Sequence, residues 1–234
     1  MKSLIFRQLF DTTGSSTYTY LIACTITKEA LLIDPVLEQV ERDTEILKEL
    51  KLTLKYVINT HCHADHVTGT GLLKSNFPDA KSVISINSGA KADIHLNHLD
   101  KIHFGDRFLE ARATPGHTNG CMCFLIDDLS FVITGDALMI RGCGRCDFQD
   151  GSTDHLYESV HSELFTLPDD TSVYPGHDYH GRMSSTILEE KTLNPRLSGS
   201  LEDFNNIMND LHKNLSYPKF IDIAIPRNLN CGLE

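Results

Sequence analysis

The sequence predicts an α/β fold, and three observations carry that prediction. Apolar runs with strand character alternate with segments of helical period along most of the 234 residues. Several of the runs are rich in aromatic and β-branched residues and stop at Pro or Gly. His61, His117, Asp136 and His177 each fall just beyond a predicted strand, the last three in a turn that contains Gly or Pro. Loops after strand ends are where α/β folds place their chemistry.

The first residues run straight into a strand-like segment and lack the apolar core of a signal peptide. Residues 18–24 and 30–34 predict two strands joined by a polar turn at Lys28-Glu29, with Pro35 ending the second. Residues 41–50 place Ile46, Leu47 and Leu50 at helical spacing. The short apolar run 56–59 predicts a buried strand that delivers Thr60 and His61. Residues 67–77 predict a helix that stops before Pro78, and 82–86 another strand. Residues 108–113 alternate and then break at Pro115-Gly116, next to His117. Strands at 121–126 and 131–134 flank the acidic turn Asp127-Asp128, and Gly135-Asp136 follows the second. Helices are predicted at 154–166 and 184–193, with a strand at 171–174 ending at Pro175-Gly176-His177. A last helix spans 201–211, and 220–225 reads as extended. No repeat, low-complexity tract or linker interrupts the chain. The reading is one domain over 1–234, with residues from about 184 to 234 a short C-terminal extension packed on it.

The bulk composition narrows the function classes. With 41% hydrophobic and 23% charged residues, the chain lies in the soluble globular range. A formal charge of −11 argues against a nucleic-acid partner. No apolar run approaches the roughly 18 residues of a membrane span, so no membrane association is expected. Seven cysteines, an odd count dispersed along a chain of ordinary size, suggest a reduced intracellular protein.

The run His61-Cys-His-Ala-Asp-His66 puts four potential metal ligands within six residues. Imidazole and carboxylate donors suit Zn, Fe and Mn. In an extended stretch His61 and His63 project to one side, while Asp65 and His66 are expected at the start of the next helix. His117, Asp136 and His177 are weaker alone, since each has an ordinary reading as a turn residue. In this order after the first cluster they reinforce it. The set permits two metals, or one held by the two-histidine, one-carboxylate subset His61, His117 and Asp136; spacing does not choose between them.

The ligand set resembles the five-part signature of the metallo-β-lactamase superfamily, which implies an αββα sandwich of two mixed sheets flanked by helices, with the metal site at one edge between the sheets. A finer likeness runs through Arg7-Gln-Leu-Phe10, Leu32-Ile-Asp-Pro-Val36, Asn59-Thr-His-Cys-His-Ala-Asp-His66, Thr68-Gly-Thr-Gly71 and Arg112-Ala-Thr-Pro-Gly-His-Thr118. It continues through Thr134-Gly-Asp-Ala-Leu-Met-Ile-Arg-Gly-Cys-Gly-Arg145, Tyr174-Pro-Gly-His-Asp-Tyr-His180 and Asn194-Pro-Arg196. These segments are similar to the persulfide dioxygenase (sulfur dioxygenase) family, and 140–145 is the most family-specific of them.

That resemblance implies an oxidoreductase of sulfide catabolism that converts glutathione persulfide, O2 and water to sulfite and glutathione. It implies one Fe(II) per chain on His61, His117 and Asp136. His63, Asp65, His66 and His177 then surround the iron, or hold a second metal. Arg145 is expected to grip a glutathione carboxylate and Tyr179 to hydrogen-bond substrate; Arg141 is expected to be a scaffold residue paired with a carboxylate. A homodimer is implied, in the cytoplasm of a bacterium or the mitochondrial matrix of a eukaryote. The alternative is a glyoxalase II-like, zinc-dependent glutathione thioester hydrolase; only residues 178–234 follow the last ligand, too few for the helical C-terminal domain of that enzyme.

Two departures from the family pattern are Cys146, where threonine is expected, and Gly176, where alanine is common. Neither is expected to touch a ligand. Cys143 and Cys146 form a lone CxxC, which without a second such pair is weak evidence for a metal. Cys121 and Cys123 read as packing. His95, His98, His103, His155, His161, His180 and His212 match no part of the signature and read as surface or structural residues.

Overall fold

The computed structural model describes residues 4–233. They form two compact units, one of residues 4–96, 101–108 and 218–233, the other of residues 97–100 and 109–217.

In the first unit, β1 (Leu4–Phe10), β2 (Tyr18–Cys24) and β3 (Glu29–Ile33) make an antiparallel meander. From β3 onward the sheet turns parallel, through β4 (Thr53–Ile58), β5 (Lys81–Ser85) and β6 (Ile94–Leu96). Strand order therefore follows chain order. Parallel neighbours need a crossover, and α1 (Val40–Glu49) and α2 (Thr70–Asn76) supply the first two. In α1, Val40, Asp43, Thr44 and Leu47 form the buried stripe, the i, i+3, i+4, i+7 pattern of a helix lying on a core. Leu32, Val57, Val40, Leu47 and Leu73 share one apolar cluster, so both helices cover the same face. β2 and most of β3 are buried on both faces, which explains why they read as continuous apolar runs.

The second sheet has the order β12-β11-β10-β9-β8-β7. Its strands are β7 (Lys101–Phe104), β8 (Arg107–Ala113), β9 (Met122–Ile126), β10 (Phe131–Gly135), β11 (Ser172–Pro175) and β12 (Ser185–Thr186). β10 and β11 pair parallel, and the pairs on either side of them are antiparallel. The crossover between β10 and β11 holds α3 (Thr153–Ser159). α4 (Ile187–Leu193) and α5 (Leu201–Asn214) follow β12. Leu156, Ile187, Phe204 and Met208 from these helices join Leu125, Val132 and Val173 of the sheet in one core. Ser200 and Asp203 form a capping box at the start of α5.

Two expectations are corrected. The helix expected over 67–77 begins only at Thr70, so Asp65 and His66 lie in a loop and not in a first helical turn. Val67 to Gly69 are diverted by backbone bonds to the segment after β3, where Leu37 N–H donates to the Val67 carbonyl and Gly69 N–H to that of Pro35. Of residues 220–225, expected to be extended, all but Phe220 belong to a helix, α6 (Ile221–Asn228). The alternating isoleucines imitate a strand, but Ile221, Ala224 and Asn228 are the buried residues, at helical spacing. Strands β6 and β7 are too short to carry a periodic signal and had no counterpart in the sequence reading. Residues 184–233 divide, with α4 and α5 in the second unit and α6 in the first. Among the described residues no helix is long and apolar enough to cross a membrane, and no cysteine is in a disulfide.

Candidate metal centre

In the first unit the donors sit on the loop that leaves β4. Asp34, at the end of β3, organises it. This carboxylate is fully buried and holds a left-handed backbone (φ 53°) just before Pro35. It accepts the Thr60 N–H at 2.7 Å, the Thr60 hydroxyl at 2.8 Å and the His63 ring at Nε2, 2.9 Å away. Since the Thr60 proton is given to Asp34, its Oγ1 is left to accept from His61 Nδ1 at 2.9 Å. One carboxylate thus sets the tautomers of two histidines, leaving Nε2 of His61 and Nδ1 of His63 as lone-pair donors.

A second network holds His66. Its Nδ1 lies 2.9 Å from Asp65 Oδ2 and 3.3 Å from Thr17 Oγ1. Thr17 is fully buried and connects through Ser15 to Asp11. Burial pushes the Asp11 carboxyl up, but hydrogen bonds from Thr13, Ser15 and Gln39 outweigh it and hold the group well below the usual carboxylate range. With Nδ1 carrying the proton, His66 Nε2 is the free lone pair, and this buried atom has no hydrogen-bond partner among the described residues. The rings of His61 and His63 are 4.1 Å apart and those of His63 and His66 4.4 Å. One ligand atom each from His63, Asp65 and His66 lies within 4.8 Å of the others. The sequence reading that His61 and His63 project together agrees with this geometry.

In the second unit His117 follows β8, Asp136 follows β10 and His177 follows β11. His117 Nδ1 is 2.6 Å from the Arg145 carbonyl, an acceptor only, so Nδ1 carries the proton and Nε2 the lone pair. His117 Nε2 lies 3.6 Å from Asp136 Oδ2, and His177 Nε2 lies 3.6 Å from Asp136 Oδ1. Both gaps exceed hydrogen-bond length. Asp136 Oδ1 is buried without a hydrogen-bond partner among the described residues. Buried lone pairs left uncompensated are costly unless something positive satisfies them. Donors of this type, aimed at one another but too far apart to bond, fit a hard or borderline metal ion.

Two glycines make room for the second-unit donors. A Cβ on Gly144 would stand 2.7 Å from His117 Nδ1, and one on Gly176 would stand 2.5 Å from Asp136 Oδ1. Gly176 therefore lies directly against a donor, which corrects the expectation that this departure touches no ligand.

Arg145 is committed elsewhere than expected. Its Nε and Nη2 each donate to Asp147 at 2.7 Å, its Nη1 donates to the Ser216 carbonyl at 3.0 Å, and its guanidinium lies 4.7 Å from the Phe148 ring centre. Hydrogen bonding between the two residues holds the Asp147 carboxyl below its ordinary value and Arg145 above its own. Tyr179 is 72% exposed as a residue, and its ring stacks parallel on His177 with centres 5.9 Å apart. Arg141 pairs with Glu189 and the buried Glu190, as a scaffold residue should. Cys143 and Cys146 are buried in the apolar core. Burial pushes the Cys143 thiol up to about 11 and Cys146 higher still, so both pack as thiols. His95, His161 and His212 bond backbone groups. Sequence reasoning missed the roles of Asp34, Thr60 and Thr17; an Asp placed between a fully apolar strand and a proline was the available signal for the first.

Residues 12–177 match the profile of the Metallo-beta-lactamase superfamily, and the two mixed sheets with flanking helices are that fold. The mouse (Mus musculus) protein "Persulfide dioxygenase ETHE1, mitochondrial" is 54% identical over 231 residues, covering 99% of this chain and 90% of its own. A crystal structure of ETHE1 from Myxococcus xanthus superposes with a TM-score of 0.93 at 51% identity, covering 97% of this chain and 99% of that one. A "Probable hydroxyacylglutathione hydrolase glo2" of Schizosaccharomyces pombe is 34% identical over 192 residues, or 77% of this chain and 72% of its own.

Proposed function

Because the chain belongs to the persulfide dioxygenase family of the metallo-β-lactamase superfamily, we propose that it oxidises glutathione persulfide to sulfite. The reaction takes one persulfide, one O2 and one water to one glutathione and one sulfite. The persulfide as a whole gives up four electrons, its S–S bond breaking as the terminal sulfur becomes sulfite and the inner one the thiol, and O2 accepts all four. The observation that carries this reading is 54% identity across almost the whole chain to a persulfide dioxygenase, against 34% over a shorter stretch to a thioester hydrolase.

The proposed cofactor is one Fe(II) per chain on His61, His117 and Asp136, with His63, Asp65, His66 and His177 around it. Bound there, iron would supply the one-electron chemistry that lets triplet O2 react with a closed-shell persulfide, and three protein ligands leave positions for both. The chain's own contribution is to fix the ring tautomers and aim the donors. Asp34 acts on His63 directly and on His61 through Thr60, and the Arg145 carbonyl acts on His117. Fixing ring tautomers beforehand means that no proton has to move when the metal arrives.

Arg145 is the proposed contact for a glutathione carboxylate, by exchange with Asp147, since a guanidinium accepts one carboxylate for another in the same two-bond geometry. Tyr179 is the proposed lid over His177 and a hydrogen-bond donor to substrate. The proposed assembly is a homodimer without nucleic acid, acting in a reducing aqueous compartment, which in the mouse relative is by its name the mitochondrion.

Oxygen uptake on adding glutathione persulfide to Fe(II)-loaded protein tests the reading. Rapid uptake with one sulfite formed per O2 is expected, and His117→Ala is expected to abolish both iron retention and uptake. Absence of uptake from folded, iron-loaded protein, together with hydrolysis of a glutathione thioester by the zinc form, would transfer the chain to the hydrolase reading.

A further inference from the structure

The ligand-bearing loop of the first unit is held from two sides. Asp34 holds its side chains, and the opposite hold comes from the far end of the chain. Asn228, the last residue of α6, is 5% exposed. Its amide nitrogen donates to the His63 carbonyl and to the His66 carbonyl, both at 2.8 Å. Its amide oxygen accepts the Thr68 N–H, also at 2.8 Å. The residues just after α6 continue the clasp. Gly71 N–H donates to the Cys231 carbonyl at 2.9 Å. Added Cβ atoms measure how closely the two segments approach: one on Gly71 would stand 2.6 Å from Leu233 Cδ2, and one on Gly232 would stand 2.1 Å from the Thr68 carbonyl.

The chemistry at position 228 is specific. The loop from His61 to Gly69 has no helix or strand to satisfy its backbone, and buried backbone groups must find partners. Two of the loop's carbonyls point outward beside one N–H. A primary amide is the small side chain that offers two donors and one acceptor together. The bonds bracket Asp65, His66 and Val67, so they fix the backbone from which the His63 and His66 rings project.

We propose that Asn228 is a positioning residue for the metal centre. From α6 it presets the loop that carries His63, Asp65 and His66, so that metal binding and the docking of residues 221–233 stabilise each other. This inference rests on the reading that the loop's donors face a metal. Linkage then requires reciprocity: if docking of the tail favours the metal-ready loop, metal must favour the docked tail by the same factor.

The test uses the full chain, metal-free and loaded with Fe(II) under anaerobic conditions, by amide hydrogen exchange. Loading is expected to slow exchange over 61–71 and also over 229–233, while α5 keeps its rate. Independently, Asn228→Asp keeps the shape but presents a carboxylate to two carbonyls. Its Fe(II) affinity, read by chelator competition, is expected to fall roughly ten- to a hundredfold. Leu47→Ala, a cavity in the same unit's core, is expected to change the affinity less than twofold. Slowed exchange over 61–71 with none over 229–233, or equal affinities for Asn228→Asp and Leu47→Ala, overturns the proposal. If Asn228→Asp does not fold, the exchange experiment on the unaltered chain decides alone. Failure of the unaltered chain to bind Fe(II) would instead defeat the metal reading beneath it.

Discussion

His117 Nδ1 lies 2.6 Å from the carbonyl oxygen of Arg145, and the atom that brings them together is one that is missing, the Cβ of Gly144. The Gly144 N–H also donates to the Asp136 carbonyl at 2.7 Å, so one turn supports two proposed iron ligands. A methyl group at 144 would press on the imidazole at 2.7 Å. Gly144→Ala is expected to leave a folded protein with at least tenfold weaker Fe(II) binding, the range seen when a ligand loses its orienting partner. Metal titration with a competing chelator measures it; an unchanged affinity would show that the ring has room to move.

Asp34→Asn addresses the first unit. The amide keeps the volume but replaces one acceptor oxygen by a donor, so Thr60 and His63 are no longer both served. His61 loses its fixed tautomer through Thr60. Iron affinity is expected to fall ten- to a hundredfold, with a shift in the iron's electronic spectrum that a mere loss of stability would not cause. Wild-type affinity with an identical spectrum would remove Asp34 from the site.

Arg145 and Asp147 make opposite predictions. If the guanidinium exchanges its internal carboxylate for that of glutathione, Arg145→Ala should raise KM severalfold with kcat largely kept, because it removes binding common to ground and transition states. Asp147→Asn should lower KM, because it withdraws the competitor. Steady-state oxygen uptake by both variants distinguishes this from a purely structural clamp, in which both substitutions damage the enzyme in the same direction.

Asp43 supplies a pH signature away from the metal donors. It lies in the buried stripe of α1, with Oδ1 bonded to Arg42 Nε at 2.9 Å and Oδ2 without a hydrogen-bond partner among the described residues. Burial, only partly offset by the Arg42 charge and hydrogen bond, pushes its carboxyl up from 3.8 to about 6. A raised folded value means that the protonated acid is the form folding favours. Its contribution is complete below about pH 4 and is lost as the pH rises through about 6. Asp43→Asn is neutral throughout, so it should exceed wild type in stability at pH 7.5 by up to about 3 kcal/mol and converge with it near pH 4. Denaturant unfolding of the metal-free protein at the two pH values measures this. A less stable variant at pH 7.5 would show that the Arg42 pair outweighs desolvation.

Much of the site was legible in the sequence because its signals are local. Strand-forming runs that end in Gly or Pro turns, followed by His or Asp, specify donors at strand ends without knowledge of any distant residue. The spacing of His61, His63, Asp65 and His66 does the same within one loop. Where a local signal pointed two ways, the sequence misled. Ile221, Ile223 and Ile225 alternate like a strand, yet the segment is helical, because burial of Ile221, Ala224 and Asn228 on one face decided it. Sequence pattern alone starts α2 too early, because helical propensity does not report that the backbone of Val67 and Gly69 is already bonded to the segment after β3.

By itself, then, the amino-acid sequence determined the α/β class, the seven candidate donors and the family likeness, all properties of neighbouring residues or of their order. Tertiary structure alone decided that Asp34 sets the tautomers of His61 and His63, that Asp147 occupies Arg145, and that Asn228 closes on the loop 165 residues away. The reason is physical. Leaving a buried donor or acceptor unpaired is costly, so most are paired, but any of many polar side chains can meet that demand, and only the folded chain selects which one is near.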